Sequence, residues 1–307
     1  MDKVPFEPAE IIKQCRDHFR AHPDASDVMD HFVVLKDSKG NETSFGVKIG
    51  DVFDGYILTY DNTMMQALKS KTKPKNFTIP TRYGTISERN DYLVMENLEG
   101  PTIWEIMENG TRELPQSCAI KIAAAVHELR QSMEFCNSLI ESDALTPRVH
   151  WYPQGGIFPY DNEGGRVITS IQDFTNFMTL RFQRAGIDLK DVPLTPLVMT
   201  HGGLSPRNLK LCPDGTIGFM DLRTSFVGPT WWEYYALRVS DEDPKFTEPL
   251  KKAMIRYGIS ASNKIMFELD KKFIPWFARY GGALARYENE KIEAGGGVGL
   301  KGDTTVL

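Results

Sequence analysis

The chain has 307 residues, 41% of them apolar and 25% charged, with 18 prolines, enough for one large hydrophobic core or two smaller ones and unlike collagen-like, disordered or membrane-spanning compositions. Its 36 basic and 41 acidic residues leave a formal charge of −5, and no long Lys/Arg run supplies the cationic footprint of a nucleic-acid or anionic-membrane partner. A small molecule is the expected partner. Cys15, Cys118, Cys136 and Cys212 are scattered, without the close pairs of a structural zinc site or a disulfide framework, which fits reduced thiols.

Taken in chain order, residues 1–20 are interrupted by Pro5, Glu7, Pro8, Glu10, Lys13, Arg16 and Asp17. They form neither the apolar stretch of a secretory signal nor a basic, acid-free transit pattern, so a cytoplasmic protein is expected. Ile11, Ile12, Cys15 and Phe19 recur at helical spacing over residues 8–19. The pattern then changes: Phe32-Val33-Val34-Leu35, the punctuation Ser38-Lys39-Gly40-Asn41, and Ser44-Phe45-Gly46-Val47-Lys48-Ile49 read as a β-hairpin. Residues 61–70 read as a short helix and 91–95 as a buried strand, with Asn97-Leu98-Glu99-Gly100-Pro101 ending it.

From residue 117 to 140, Ile122, Val126, Leu129, Met133, Cys136 and Ile140 recur at three- and four-residue steps, the pattern of an amphipathic helix. Residues 174–182, 249–257 and 262–287 add helical patterns, and Gly295, Gly296, Gly297, Gly299 and Gly302 give the end of the chain the composition of a flexible tail. The fold class read from these elements is α+β with two lobes. A β-rich lobe spans residues 1–96, a larger helical lobe 97–292 and a glycine-rich tail 293–307.

The most informative stretch begins near residue 197. Asp214-Gly215 stands between Leu209-Lys210-Leu211-Cys212 and Ile217-Gly218-Phe219-Met220, and Asp-Gly between two such runs signals a two-residue hairpin loop. In that register Leu211 faces Gly218, Leu209 faces Met220, and Asn208 meets Asp221 at the open end. Both are hard oxygen ligands of the kind Mg²⁺ accepts beside phosphates and water; the alternative is that each caps a turn.

Upstream lies His201-Gly202-Gly203-Leu204-Ser205-Pro206-Arg207-Asn208. His-Gly-x-Leu-x-Pro-x-Asn, a short hairpin and then an Asp resemble the catalytic loop and metal-binding strand of the aminoglycoside and choline phosphotransferase group, a branch of the protein-kinase-like fold. The resemblance implies that Asn208 and Asp221 hold Mg²⁺ with ATP. It extends to Tyr92-Leu93-Val94-Met95-Glu96-Asn97-Leu98-Glu99-Gly100, which looks like the inter-lobe hinge whose backbone receives adenine and so implies Met95, Glu96 and Leu98 as cofactor contacts. Gly46-Val47-Lys48-Ile49 looks like the strand with the phosphate-binding lysine, and Ile79-Pro80-Thr81 like the step before the hinge strand. Gly228-Pro229-Thr230-Trp231-Trp232-Glu233-Tyr234 is similar to an element after the metal-binding Asp, particularly in fungal members. Coverage runs from about residue 31 to about residue 257.

Three departures matter. Gly203 stands where the family carries the aspartate that takes or orients the proton of the substrate hydroxyl, and a positioned base is worth about 10²- to 10⁴-fold. Residues 61–67 offer Lys48 no glutamate, only Asp61, so Lys48 is either a phosphate ligand or an unpaired, exposed strand lysine. Leu222-Arg223 follows Asp221 where an aromatic residue is usual; Arg223 either answers an anionic ligand group or is a solvated arginine.

His201 is expected to brace its loop, with catalysis as the alternative. Ser205 belongs to turn chemistry and His127 to a helix surface or its packing. Trp231, Trp232, Tyr234 and Tyr235 are either core or the lining of an apolar pocket. Asp54 and Asp173 are candidate substitute bases. The expected function is that of a phosphotransferase-like protein repurposed to bind a small metabolite between its lobes and to catalyse cyclisation, dehydration or a similar acid–base rearrangement, of the kind found in secondary metabolism, without a required cofactor. The alternatives are an ATP- and Mg²⁺-dependent small-molecule phosphotransferase with a displaced base, and a non-catalytic pseudokinase.

Overall fold

The computed structural model describes residues 4–21, 32–51, 65, 68, 74–88, 90–131, 171–222, 225–240 and 242–275. Helix α1 (Pro8–Ala21) covers a four-stranded antiparallel sheet formed by β1 (Phe32–Lys36), β2 (Glu42–Asp51), β4 (Arg82–Ser87) and β5 (Asn90–Glu96), in the order β1-β2-β5-β4. The two-residue strand β3 (Phe77–Thr78) lies outside this sheet. The expected hairpin is present, and its turn is held by Asp37 Oδ1, which accepts from the N–H groups of Lys39 at 2.8 Å and Asn41 at 2.9 Å.

Strand alternation divides the sheet between two cores. Tyr92 and Val94 pack with Ile11, Ile12 and Cys15 of α1, whereas Leu93 and Met95 join the larger core of the helical part. On β2, Val47 and Ile49 belong to the α1 side. Lys48, between them and paired with Leu93, is therefore aimed away from α1. Of the helix expected over 61–70, Met65 and Leu68 are described; both are helical and buried.

After β5 the chain turns at Gly100, whose φ of 104° lies in the left-handed region. A Cβ there would stand 2.1 Å from the backbone oxygen of Leu211, so the turn needs glycine for conformation and for space. Gly100→Ala is expected to cost about 1–3 kcal/mol or more through strain and enforced backbone shift, read as a lowered urea midpoint. Helix α2 (Ile103–Glu108) follows behind a reciprocal capping box of Thr102 and Glu105.

The expected amphipathic helix is α3 (Gln116–Arg130), which buries Cys118, Ala119, Ile122, Ala123, Ala125, Val126 and Leu129. Met133, Cys136 and Ile140 lie outside the described residues, as do the glycines of 293–307. Helix α4 (Ile171–Arg184) leads to β6 (Leu197–Thr200), β7 (Leu209–Leu211), β8 (Ile217–Phe219) and β9 (Phe226–Pro229), and then to α5 (Trp232–Val239), α6 (Pro244–Arg256) and α7 (Asn263–Glu268), which ends in a π-helical turn, Leu269–Phe273.

The pattern predicts a helix over 249–257, but α6 starts five residues earlier, because Asp243 caps it and Pro244 occupies its first turn. Pro249 is consequently internal. It cannot donate to the carbonyl of Lys245, and Leu114 N–H takes that acceptor at 3.0 Å, which removes much of the usual proline penalty. No helix among the described residues is long and apolar enough to cross a membrane.

Candidate active site

The loop of residues 201–208 is suspended between two short ladders. β6 before it pairs antiparallel with β9, and β7 after it pairs with β8, which in turn pairs parallel with β3. The register of the second ladder differs from the sequence expectation. Leu209 faces Phe219, Lys210 faces Gly218 and Leu211 faces Ile217; Cys212 N–H donates to Thr216 O at 3.0 Å and Gly215 N–H to Cys212 O at 2.9 Å. The loop thus has three residues, Pro213-Asp214-Gly215. Gly215 takes φ 85° at its end, and Asp214 Oδ1 accepts from Thr216 N–H and Oγ1, at 2.9 and 2.7 Å, instead of sharing a two-residue turn.

The correction moves every partner by one. Asn208 O accepts from Met220 N–H at 2.9 Å, so Asn208 opposes Met220, not Asp221. Asn208 and Asp221 nevertheless line one cleft with Lys48, Gly203 and Leu98, a cavity of about 920 Å³, within the range of small-molecule sites. Asn208 Nδ2 donates to Gly203 O at 3.4 Å, and Asn208 N–H to Ser205 O at 3.0 Å, which closes the loop on itself.

Lys48 is neither unpaired nor exposed. Its Nζ lies 2.6 Å from Asp221 Oδ1, and the two side chains are 8% and 9% exposed. The partner that the sequence around Asp61 does not offer comes from 173 residues away. Pleat alternation aims Lys48 into the cleft, and the short step after β8 brings Asp221 to meet it.

His201 braces the loop. Its ring is buried against Phe219, with centroids 5.0 Å apart, and Nδ1 accepts from Gly203 N–H at 3.4 Å. Burial pushes its pKa down to about 4, against the pull of Asp221, so the imidazole is neutral at pH 7.

Beneath it lies a residue that sequence reasoning did not single out. Glu233, at the start of α5, is 1% exposed and accepts from His201 N–H at 2.6 Å and Gly202 N–H at 3.2 Å. Burial raises its pKa to about 7, against those backbone hydrogen bonds and the charge of Arg130. The available signal was an acid next to two tryptophans: Trp231, Trp232 and Tyr235 are all core, and an acid in that setting is buried with them.

The remaining candidates divide. Leu98 lines the cleft. Met95 packs in the large core, and the Glu96 carboxylate accepts from Thr81 N–H and Oγ1, at 2.8 and 2.5 Å. Ser205 Oγ accepts from Arg207 N–H at 3.3 Å, ordinary turn chemistry. The His127 ring packs beside Tyr257, centroids 5.6 Å apart. Asp173 lies on α4; Arg223 and Asp54 lie outside the described residues. No cluster of three or more His, Cys, Asp or Glu side chains able to hold a metal occurs among the described residues. Asn208 and Asp221, both on the wall of the cleft, carry oxygens of the hard type that a cation such as Mg²⁺ accepts.

No family model matches the chain, and no curated protein matches its sequence. Solved structures do. The likeness is to phosphotransferases. The GDP and kanamycin complex of APH(2")-IIia is 16% identical, with a TM-score of 0.46 over 92% of this chain and 93% of that one. Macrolide 2'-phosphotransferase MphH from Brachybacterium faecium is 12% identical, with a TM-score of 0.43 over 85% and 83%. Choline kinase LicA from Streptococcus pneumoniae is 13% identical, with a TM-score of 0.41 over 92% and 99%.

Proposed function

We propose that the chain binds a small metabolite in the cleft between its sheet and its helical part and acts on it by acid–base chemistry other than efficient ATP-dependent phosphoryl transfer. The observation that carries this reading is Gly203. It lines the cleft at the position where the resemblance places the proton acceptor, and neighbouring His201 is fully buried and neutral, spent on the loop's own support. Among the titratable groups that line the cleft, the ammonium of Lys48 and the carboxylate of Asp221 are both buried and are held in contact at 2.6 Å. Buried together, they present a donor and an acceptor to one bound molecule without ordering either on binding.

A second reading, a slow Mg²⁺·ATP-dependent phosphotransferase, is favoured by the same pair together with Asn208 on one wall. Mg²⁺ would there neutralise charge on the transferring phosphoryl group, with Asn208 and Asp221 as its protein ligands and Lys48 toward the phosphates.

Thermal unfolding with and without Mg²⁺·ATP separates the two. The first reading expects no nucleotide-dependent stabilisation at millimolar ATP, and turnover of a metabolite in nucleotide-free buffer. The second expects stabilisation that Asp221→Asn removes, and gain of phosphoryl transfer to a hydroxylated acceptor in Gly203→Asp. Efficient phosphoryl transfer by the unaltered chain would overturn the first reading.

A further inference from the structure

With glycine at position 203, the carboxylates among the described residues that line the cleft are Glu42, Glu99, Glu105, Asp221 and Glu242. All but the last are accounted for by their surroundings. Asp221 holds the ammonium of Lys48 at 2.6 Å. Glu105 belongs to the capping box of α2, one of its oxygens accepting from Thr102 N–H and Oγ1 at 2.7 and 2.9 Å. Glu42 begins β2 and Glu99 stands in the hinge, and both are exposed, the usual state of a surface acid.

Glu242 differs from these. It is partly buried, and among the described residues its side chain makes no hydrogen bond and no ion pair. Arg207, which lines the cleft together with Gly203 and Ser205, lies over the Trp104 ring, 4.6 Å from its centroid, and is not bonded to Glu242. The place of Glu242 is set by the backbone on either side. Ser240 ends α5, its N–H donating to Ala236 O and its Oγ to Leu237 O at 3.0 Å. Asp243 begins α6, its carboxylate accepting from Lys245 N–H at 2.8 Å and its carbonyl from Phe246 N–H at 2.8 Å. Glu242 thus stands at a corner between two capped helix ends. Of these helices, α5 holds the loop of residues 201–203 through Glu233, and α6 is tied through Leu114 N–H and Lys245 O to the segment after α2. A carboxylate on such a corner needs little ordering when a molecule enters, and it lacks the donor that a partly buried acid requires.

We infer that Glu242 is the proton acceptor of the cleft, a further catalytic residue that takes the hydrogen bond, and in turnover the proton, of the bound molecule. The proton passes to a carboxylate oxygen of Glu242, its electron pair stays on the bound molecule, and water afterwards removes the proton. This inference rests on the proposed reading of the cleft as a site of acid–base chemistry and names the group that supplies what Gly203 cannot.

The probe 5-nitrobenzisoxazole tests it on the whole chain. A base withdraws the ring C–H proton, the electron pair forms a nitrile and the N–O bond breaks, releasing a cyanophenolate that is followed by its absorbance. Phe32, Val34, Leu98 and Met220 offer the planar probe an apolar wall. The unaltered chain is expected to open the ring with a second-order rate constant about 10²-fold above that of acetate, the low end for a positioned base. Glu242→Gln is expected to fall to the level of acetate with an unchanged urea midpoint, because the carboxylate holds nothing within the chain. Glu42→Gln and Glu99→Gln are expected to keep the rate. A rate in the unaltered chain no higher than that of acetate, a rate that Glu242→Gln keeps, or a lowered urea midpoint in Glu242→Gln overturns the inference.

The same variant separates the acceptor from the reading beneath it. If nucleotide-free turnover of a metabolite is found and Glu242→Gln retains its kcat, Glu242 fails as the acceptor while the cleft reading stands. If ring opening depends on Glu242 but no metabolite turns over without nucleotide, Glu242 stands as the base of the cleft and the metabolite reading fails.

Discussion

Asp221→Ala and Lys48→Met are each expected to cost the fold about 3–5 kcal/mol, the loss typical when one partner of a buried ion pair is removed. The two side chains are 8% and 9% exposed, with 2.6 Å between Nζ and Oδ1, so the partner left behind has lost most of its own hydration. The double variant Lys48→Met/Asp221→Leu strands no charge, and its loss is expected to fall well short of the sum of the single losses, by an interaction energy at or above the usual range of about 0.5–3 kcal/mol. Urea unfolding of the four proteins closes the cycle. Single losses below about 1 kcal/mol, the range of exposed pairs, would mean that the contact does not persist in solution. It would then be no fixture of the site.

This pair also marks what sequence could and could not give. The aim of Lys48 was readable: Val47 and Ile49 are apolar neighbours on a strand, and alternation puts the lysine on the opposite face. Its partner was not, because nothing local connects residues 173 apart in the chain. Helix α3 was legible from its apolar spacing, whereas the start of α6 was missed because Pro249 reads as a beginning. Only Leu114 N–H, from another part of the chain, makes an internal proline tolerable there. The hairpin was legible as a hairpin, but its register was not. Asp-Gly serves a two-residue loop and the end of a three-residue loop alike, and the choice rested on Cys212 pairing with Thr216. Glu233 was legible as part of the element after Asp221 but not as the acceptor for the loop's N–H groups, because a contact between residues 32 apart leaves no local mark.

Stabilities of Glu233→Gln and the unaltered chain are expected to diverge in favour of the variant as pH rises from 5 to 8, by about 1–3 kcal/mol on the scale of 1.36 kcal/mol per pKa unit. Burial lifts the pKa of Glu233 from its ordinary value of 4.5 to about 7. Its stabilising proton uptake is thus complete below about 4.5 and is lost as pH climbs through 7. His201 has the opposite slope. Its pKa falls from 6.5 to about 4, so its contribution is present above 6.5 and is lost as pH falls toward 4. The two windows overlap across one loop, and the unaltered chain alone shows a muted pH dependence. Comparing variant with unaltered chain cancels the histidine and isolates the acid. Glu233→Ala should instead lose stability throughout the range, because the N–H groups of His201 and Gly202 lose their acceptor, at about 1–3 kcal/mol for each one left unsatisfied. A Glu233→Gln difference that stays flat between pH 5 and 8 would show the carboxylate ionised throughout. The backbone donors and Arg130 would then outweigh burial, and the loop of residues 201–203 would be held by a charge.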